Sequence, residues 1–286
     1  MDKISWDDFK KLFDTKRDRN IICPGCKKSN KDGKFATFID GSPGDGKCFS
    51  CDYFQYKGLN RMSSFVSSRP DIEYNYIPSE VVNSSRLSID SSTPLTDYLL
   101  KYFDQNKVKN VLDKYYICTG PKYNSIAFPL IDTNRNIRRI QYMKFYFDGI
   151  KCKRTNYNNW YEVKNGYDRC LFGEHWLTDD KDSEICVLES QRACLYMKCY
   201  DHDKIWLGTG GKSNLHDFMF AKMQYREIRL IPDVDGLELW SKRAEELQKK
   251  YPTNNFYVDD ICYLNREKIG PNGDIEDLTL TIYAQH

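Results

Sequence analysis

The apolar residues in the second half of the chain form two short runs that each end in acid. Ile185-Cys186-Val187-Leu188 leads into Glu189, and Ile228-Arg229-Leu230-Ile231-Pro232 leads into Asp233-Val234-Asp235-Gly236. Runs of this length bounded by polar turns predict strands covered on both faces, as in a parallel sheet flanked by helices. A helix is expected after each acid. Ala193, Tyr196, Met197 and Tyr200 recur at helical spacing after the first, and Trp240, Ala244 and Leu247 after the second, before Pro252 ends the run. Upstream, Leu95, Tyr98, Leu99 and Tyr102 mark one helix, and Val108, Val111, Leu112 and Tyr115 another. Ser125 to Asp132 then reads as a strand, Asn134 to Asn136 as a turn, and Ile137 to Phe147 as a second strand. Near the start, Trp6, Phe9, Leu12 and Phe13 behind Ser5 predict a short amphipathic helix, and Lys34 to Ile39 a strand followed by a turn over Gly41 to Gly46. Residues 61–93 are rich in Ser with little periodicity and read as a linker.

Acids at the carboxyl ends of parallel strands lie where α/β sheets place their chemistry. For any single Asp, a turn or a helix cap is the commoner role. Glu189, the Asp233/Asp235 pair and the later Asp274-Ile275-Glu276-Asp277 form a series, however, and carboxylates gathered together stay ionised only beside cations. Hard oxygen donors suit magnesium or manganese. Between the acids lies Leu207-Gly208-Thr209-Gly210-Gly211-Lys212-Ser213. Its end looks like a phosphate-binding loop, but the first glycine of that motif would fall on Trp206, which excludes an ATPase of that class. Lys212 is still placed to meet a phosphate as a point charge.

Composition narrows the class. The 286 residues are 40% apolar, enough for one large or several small soluble domains, and the net charge of +2 hides a separation of acids from bases that leaves a nucleic-acid partner open. From Arg135 to Arg154 the bases Arg135, Arg138, Arg139, Lys144, Lys151, Lys153 and Arg154 alternate with Tyr142, Phe145, Tyr146 and Phe147. Such a strand either pairs with phosphates and stacks on bases, or turns its bases to solvent and its rings to a core. Apolar stretches are too short to span a bilayer, and eleven cysteines without a signal peptide fit a reducing cytoplasm better than a disulfide framework. Four of them stand as Cys23-Pro24-Gly25-Cys26 and Cys48-Phe49-Ser50-Cys51, two knuckles flanking a hairpin, which is the spacing of a tetrahedral structural zinc site. Zinc would supply much of the folding free energy of so small a module. Lys27, Lys28, Lys31, Lys34 and Lys47 with Phe35, Phe38 and Phe49 could give it a face for single-stranded DNA, or simply a solvated surface. His175, His202, His216 and His286 are scattered and take no role.

Glu189 after a buried strand, the glycine turn, Asp233-Val234-Asp235 and the late acidic tract together resemble the toprim domain of DnaG-type primases. Where many primases carry Glu-Gly-x-x-Asp, this chain has Glu189-Ser190-Gln191-Arg192-Ala193, without the second acid, as in phage and mobile-element relatives. The helix, helix, strand, turn and basic strand running to Cys170-Leu171-Phe172-Gly173 are similar to the subdomain that precedes toprim in primases. The resemblance spans nearly the whole chain. It implies an α/β core, α+β overall: a zinc-ribbon domain with its helix over 1–60, a linker over 61–93, the N-terminal subdomain of the core over 94–178 and a Rossmann-like toprim sheet over 179–286.

The implied activity is template-dependent synthesis of short RNA primers on single-stranded DNA from nucleoside triphosphates. Two magnesium or manganese ions roughly 3.5–4 Å apart would activate the attacking 3′ hydroxyl and hold the departing pyrophosphate. Asp233, Asp235 and Asp277 are the implied ligands, with Asp274 beside them; Glu189 is either a further ligand or the group that moves a proton. Cys23, Cys26, Cys48 and Cys51 would hold zinc. Lys212, Arg138, Arg139, Lys144 and Arg154 would meet nucleotide or template. No helicase-like segment follows within this sequence, so any unwinding partner is expected to be a separate protein, and no membrane is involved. Two other readings share these residues: a non-catalytic protein that holds single-stranded DNA, and a toprim nuclease.

Overall fold

The computed structural model describes residues 19–38, 45–48, 54–55, 75–163, 166 and 169–283. The helix expected over Ser5 to Phe13 lies outside them, as does Cys51. The chain divides into two compact units, 1–72 and 73–286.

In the first unit, β1 (Phe35–Thr37), β2 (Gly46–Cys48) and β3 (Phe54–Gln55) form an antiparallel sheet in that order. Gly46 is required where it crosses β1. A Cβ there would press on the Ala36 carbonyl at 2.5 Å and the Phe35 ring at 2.8 Å. Asn30 braces the hairpin, donating from Nδ2 to the Phe35 carbonyl at 2.8 Å and accepting the Phe35 amide at 2.6 Å.

The second unit begins before the expected end of the linker. Ile77 pairs with Ile137, helix α1 (Ser79–Asn83) follows, and Ile77, Val82 and Leu87 are buried. Apolar positions this sparse among serines carry no helical or strand period, so the pattern conceals an ordered segment. Helix α2 (Pro94–Tyr102) starts on a reciprocal cap: the Thr96 amide donates to Thr93 Oγ1 at 3.1 Å and the Thr93 amide to Thr96 Oγ1 at 2.9 Å. It buries Leu95, Tyr98 and Leu99, and α3 (Gln105–Lys114) buries Val108, Val111 and Leu112, as their spacing predicts. Strands β4 (Cys118–Thr119), β5 (Ser125–Ile131), β6 (Ile137–Phe147) and β7 (Cys152–Trp160) then form an antiparallel sheet in sequential order. One face of β6, with Met143 and Phe145, joins the main core; the other, with Ile140 and Tyr142, covers a smaller cluster containing Val82, Cys118 and Ala127.

After the short helix α4 (Trp176–Asp179), strand β8 (Ile185–Leu188) enters a parallel sheet of order β11-β10-β8-β9, completed by β9 (Ile205–Gly208), β10 (Glu227–Leu230) and β11 (Asn255–Val258). All residues of β8 and β9 are buried, as a sheet covered on both faces requires. Helix α5 (Gln191–Tyr200) crosses from β8 to β9 and α6 (Leu237–Lys250) from β10 to β11, the latter burying Trp240, Ala244 and Leu247. The turns α7 (Ile261–Leu264) and α8 (Arg266–Ile269) lead to α9 (Ile275–Tyr283). One core runs from Leu87 to Leu280 without a break at residue 178, and it holds both sheets together. This is the α/β architecture, with a Rossmann-like parallel sheet, a mixed subdomain before it and a small β module at the start, that the sequence predicts. No helix among the described residues is long and apolar enough to cross a membrane.

Replacing Thr93 by Ala removes the bond that its hydroxyl accepts from the Thr96 amide, while the residue-93 amide still donates to Thr96 Oγ1, and is expected to cost about 1 kcal/mol, lowering the melting temperature by about 2–4 °C in calorimetry. An unchanged melting temperature would show that α2 is held by its packing alone.

Candidate active site and metal centres

The crevice is built at the carboxyl edge of the parallel sheet. Leu188 ends β8 and delivers Glu189, while Ser190 caps α5. From β10 the chain passes through Ile231 and Pro232 to Asp233, whose amide donates to Glu189 Oε1 at 3.2 Å. Asp235 follows within a single 3-10 turn, Val234–Gly236. A Cβ on Gly236 would collide with Glu189 Oε1, so the glycine lets the two acid turns meet. The Asp274 tract is fastened to the same place, because the Val234 amide donates to the Gly273 carbonyl at 2.9 Å. Glu189, Asp233, Asp235 and Asp274 are therefore gathered closely enough to act on one another's charge.

Electrostatics show the strain of this gathering. Burial, with Asp235 and Asp274 adding to it, pushes Glu189 up to about 7 against the pull of the Asp233 amide and Lys212. Burial, then Glu189 and Asp274, push Asp233 up to about 8. Carboxyls displaced this far are short of positive charge, and oxygen donors in that state fit a hard divalent cation.

Three protein cations already stand among the acids. Lys212, on the turn where Gly210 and Gly211 take positive φ, is paired with the exposed Asp235, and its carbonyl accepts from Trp240 Nε1 at 2.9 Å. Lys151, between β6 and β7, donates 3.0 Å bonds to both oxygens of Asp274 and pairs with Asp277 Oδ1 at 2.7 Å. Arg192 pairs with Glu276 Oε2 at 2.9 Å and Asp274 Oδ2 at 3.5 Å, and donates to the Cys152 carbonyl at 2.5 Å. Asp274 and Asp277 also cap α9 reciprocally, each amide donating to the other's carboxylate at 3.0 and 2.9 Å. Burial opposes ionisation of Asp274, yet Lys151 and Arg192 hold it below the usual range. Glu276, fully buried and also bonded by the Tyr98 hydroxyl, is pushed up to about 7 by burial. Asp277 is thus engaged by a lysine and a helix amide.

The sequence alone places Lys151 only among the bases of the 135–154 stretch and gives Arg192 no role. The legible signal was Arg192, a charge directly before the apolar run Ala193 to Met197, which needs a buried partner. Gln191 beside it donates to Gln141 Oε1 at 2.6 Å, and Gln141 donates to Asn158 Oδ1 at 2.9 Å, so the antiparallel sheet is bonded to the turn behind Glu189.

The four expected nucleic-acid contacts on the antiparallel sheet divide between its faces. Arg139 shares a face with Gln141, and Arg154 pairs across with Phe145 on that face. Lys144 lies on the opposite face, its ammonium 5.5 Å from the Tyr157 ring centre. Arg138, also on that side, donates to the fully buried carboxylate of Asp132 at 2.9 Å, an ion pair that holds the strand end. Divided between the two faces of the sheet, the four bases cannot all meet one ligand.

In the smaller unit, the sulfurs of Cys23, Cys26 and Cys48 lie within 4.8 Å of one another, and no other set of three candidate ligands among the described residues does. The knuckle is closed by the Lys27 amide donating to the Cys23 carbonyl at 2.9 Å, with Lys27 at φ 59°. Three converging thiols, two of them buried, fit a soft tetrahedral cation.

Residues 93–234 match the model of a family described as a domain of unknown function (DUF6371), a segment that reaches Glu189 and Asp233. No curated protein matches the sequence. Among solved structures, the zinc-binding and RNA polymerase domains of the Aquifex aeolicus primase match over 72% of this chain and 59% of that one, at 11% identity and a TM-score of 0.48. The primase fragment of the bacteriophage T7 primase-helicase matches over 93% of this chain and 95% of that one, at 18% identity and 0.44. The RNA polymerase domain of Mycobacterium tuberculosis primase DnaG matches over 71% and 79%, at 12% and 0.43. These are likenesses only, and the roles of the acids rest on the geometry of this chain.

A carboxyl whose folded value is raised keeps its proton after the unfolded chain has lost it. Stability from Glu189, Asp233 and Glu276 therefore falls as pH rises, over a window from about 4 to about 8. His175, pushed down to about 4 by burial, acts in the opposite sense but only below its ordinary value near 6.5. Without added magnesium, the melting temperature is expected to fall between pH 7 and 8.5. Asp233→Asn should flatten that slope and raise the melting temperature at pH 8 by about 2–6 °C. A slope untouched by the substitution would contradict the charge balance described here.

Proposed function

We propose that this chain is a DNA primase, a nucleotidyltransferase that joins nucleoside triphosphates on a single-stranded DNA template. The observation that carries the proposal is the meeting of Glu189, Asp233 and Asp235 at the carboxyl edge of one parallel sheet, locked by the Asp233 amide and Gly236. The order of modules along the sequence, thiol knuckles, mixed subdomain and acidic sheet, supports it over a nuclease, which needs no zinc ribbon.

Within this reading each residue has a task. Asp233 and Asp235 hold a magnesium or manganese ion, which supplies a Lewis acid for phosphoryl transfer when bound. Glu189 keeps Oε1 on the Asp233 amide and, with a value near 7, is suited to take the proton of the attacking 3′ hydroxyl through Oε2. The new bond joins that oxygen to the α-phosphorus, and the bond to the β-phosphate breaks to release pyrophosphate. Lys212, at the rim beside Asp235, meets the triphosphate. Arg139 and Arg154, on the sheet face bonded to the Glu189 turn, are the template contacts of choice, ahead of Arg138 and Lys144. Cys23, Cys26 and Cys48, with Cys51, hold zinc. Such a protein works in the cytoplasm, beside a separate helicase.

Incubation with single-stranded DNA, labelled nucleoside triphosphates and Mn²⁺ or Mg²⁺ is expected to yield short, template-dependent oligomers. The Asp233→Ala/Asp235→Ala variant should lose them by at least about 100-fold while binding DNA as the parent does. DNA binding without synthesis in the parent would instead make the chain a zinc-ribbon binding protein, and cleavage of the DNA would make it a nuclease.

A further inference from the structure

The acidic tract and the strand-end acids are two differently charged halves of the crevice. Asp274, Glu276 and Asp277 carry three carboxylates and enclose two protein cations, Lys151 and Arg192. Both are held firmly: the Lys151 side chain is 14% exposed and that of Arg192 9%. Glu189, Asp233 and Asp235 carry three carboxylates, of which Asp235 is paired with Lys212, whose side chain is 37% exposed, and Asp233 feels Lys151 only through space. One divalent ion neutralises the second half. The first half has no comparable deficit, because a buried ammonium already bridges both oxygens of Asp274 and one of Asp277, the position a hard cation would take between them.

We propose that the crevice takes one divalent cation, on Asp233 and Asp235 with Glu189 beside it, and that Lys151, backed by Arg192, is a permanent cation in the place of a second. The inference rests on reading the crevice as a cation site for phosphoryl transfer, and it departs from the two-ion arrangement that the resemblance to primases implies. Lys151 is a positioning residue here: it fixes Asp274 and Asp277 and carries charge toward the crevice without touching the reacting atoms. Arg192 explains why the motif after Glu189 has no second acid. The helix position that would supply it is Ala193, and the arginine beside it closes the tract from the opposite side.

Titration of the full chain, carrying its zinc, with Mn²⁺ while free Mn²⁺ is followed by electron paramagnetic resonance counts the sites without any reference to primer synthesis. The parent is expected to bind one Mn²⁺, and Lys151→Met two. Asp277→Asn, which leaves Lys151 in place, should shift the affinity of the single site by less than about 2-fold, and Lys151→Arg should keep the count at one. Two ions in the parent would overturn the proposal, as would a count of one in a folded Lys151→Met or a tenfold loss of affinity in Asp277→Asn. If Lys151→Met does not fold, the parent count and Asp277→Asn still decide. No binding by a folded parent would sink the cation reading of the crevice altogether, whereas one bound Mn²⁺ without primers would leave this inference standing and remove the primase.

Discussion

Like charge forced into one place is the constraint around which the larger unit is arranged. The parallel sheet delivers Glu189 and Asp233 to adjacent strand ends, and Gly236, having no side chain, leaves room for the Glu189 carboxylate against the Asp233 turn. Carboxylates so placed either keep protons or acquire cations, and both responses are present. Glu189 and Asp233 are pushed toward neutrality, while Asp274 is held ionised by Lys151 and Arg192. A cluster of this kind lowers stability unless something binds it.

The rest of the fold supplies the counter-charges. Lys151 reaches the tract from the connection between β6 and β7, Arg192 from the first turn of α5, and Lys212 from the glycine turn that Trp240 pins. The antiparallel sheet is therefore more than a neighbour of the parallel one: it contributes a cation, a glutamine bond to the Gln191 turn and one basic face. A single core beneath both sheets keeps these distances fixed, which is what the proposed phosphoryl transfer would require.

Much of this was legible from the chain alone. Local patterns determined β5, β6, β8, α2, α3 and α6 because each buries one stripe or one continuous run. The crevice was legible because strand ends, unlike loops, have a fixed address in a parallel sheet. What the pattern hid depends on contacts between distant segments. Strands β9 and β11 are as long as β8, but β9 passes directly into the glycine turn and β11 mixes Asn255 and Tyr257 with its apolar positions, and Ile77, Val82 and Leu87 are too widely spaced among serines to show a period. Basic residues along β6 and β7 looked like one surface until the register placed Arg139 and Arg154 on one face and Lys144 on the other. Asp277 read as an open ligand because nothing local reveals a lysine arriving from residue 151.

Glu189→Gln tests the central claim most directly, since it keeps an oxygen for the Asp233 amide and removes the charge and the proton acceptor together. Primer synthesis by the purified variant, measured beside its melting temperature and its affinity for single-stranded DNA, should fall by at least about 100-fold with fold and DNA binding intact. Synthesis at the parent rate would show that the chemistry lies elsewhere, and that the gathered acids serve only the fold.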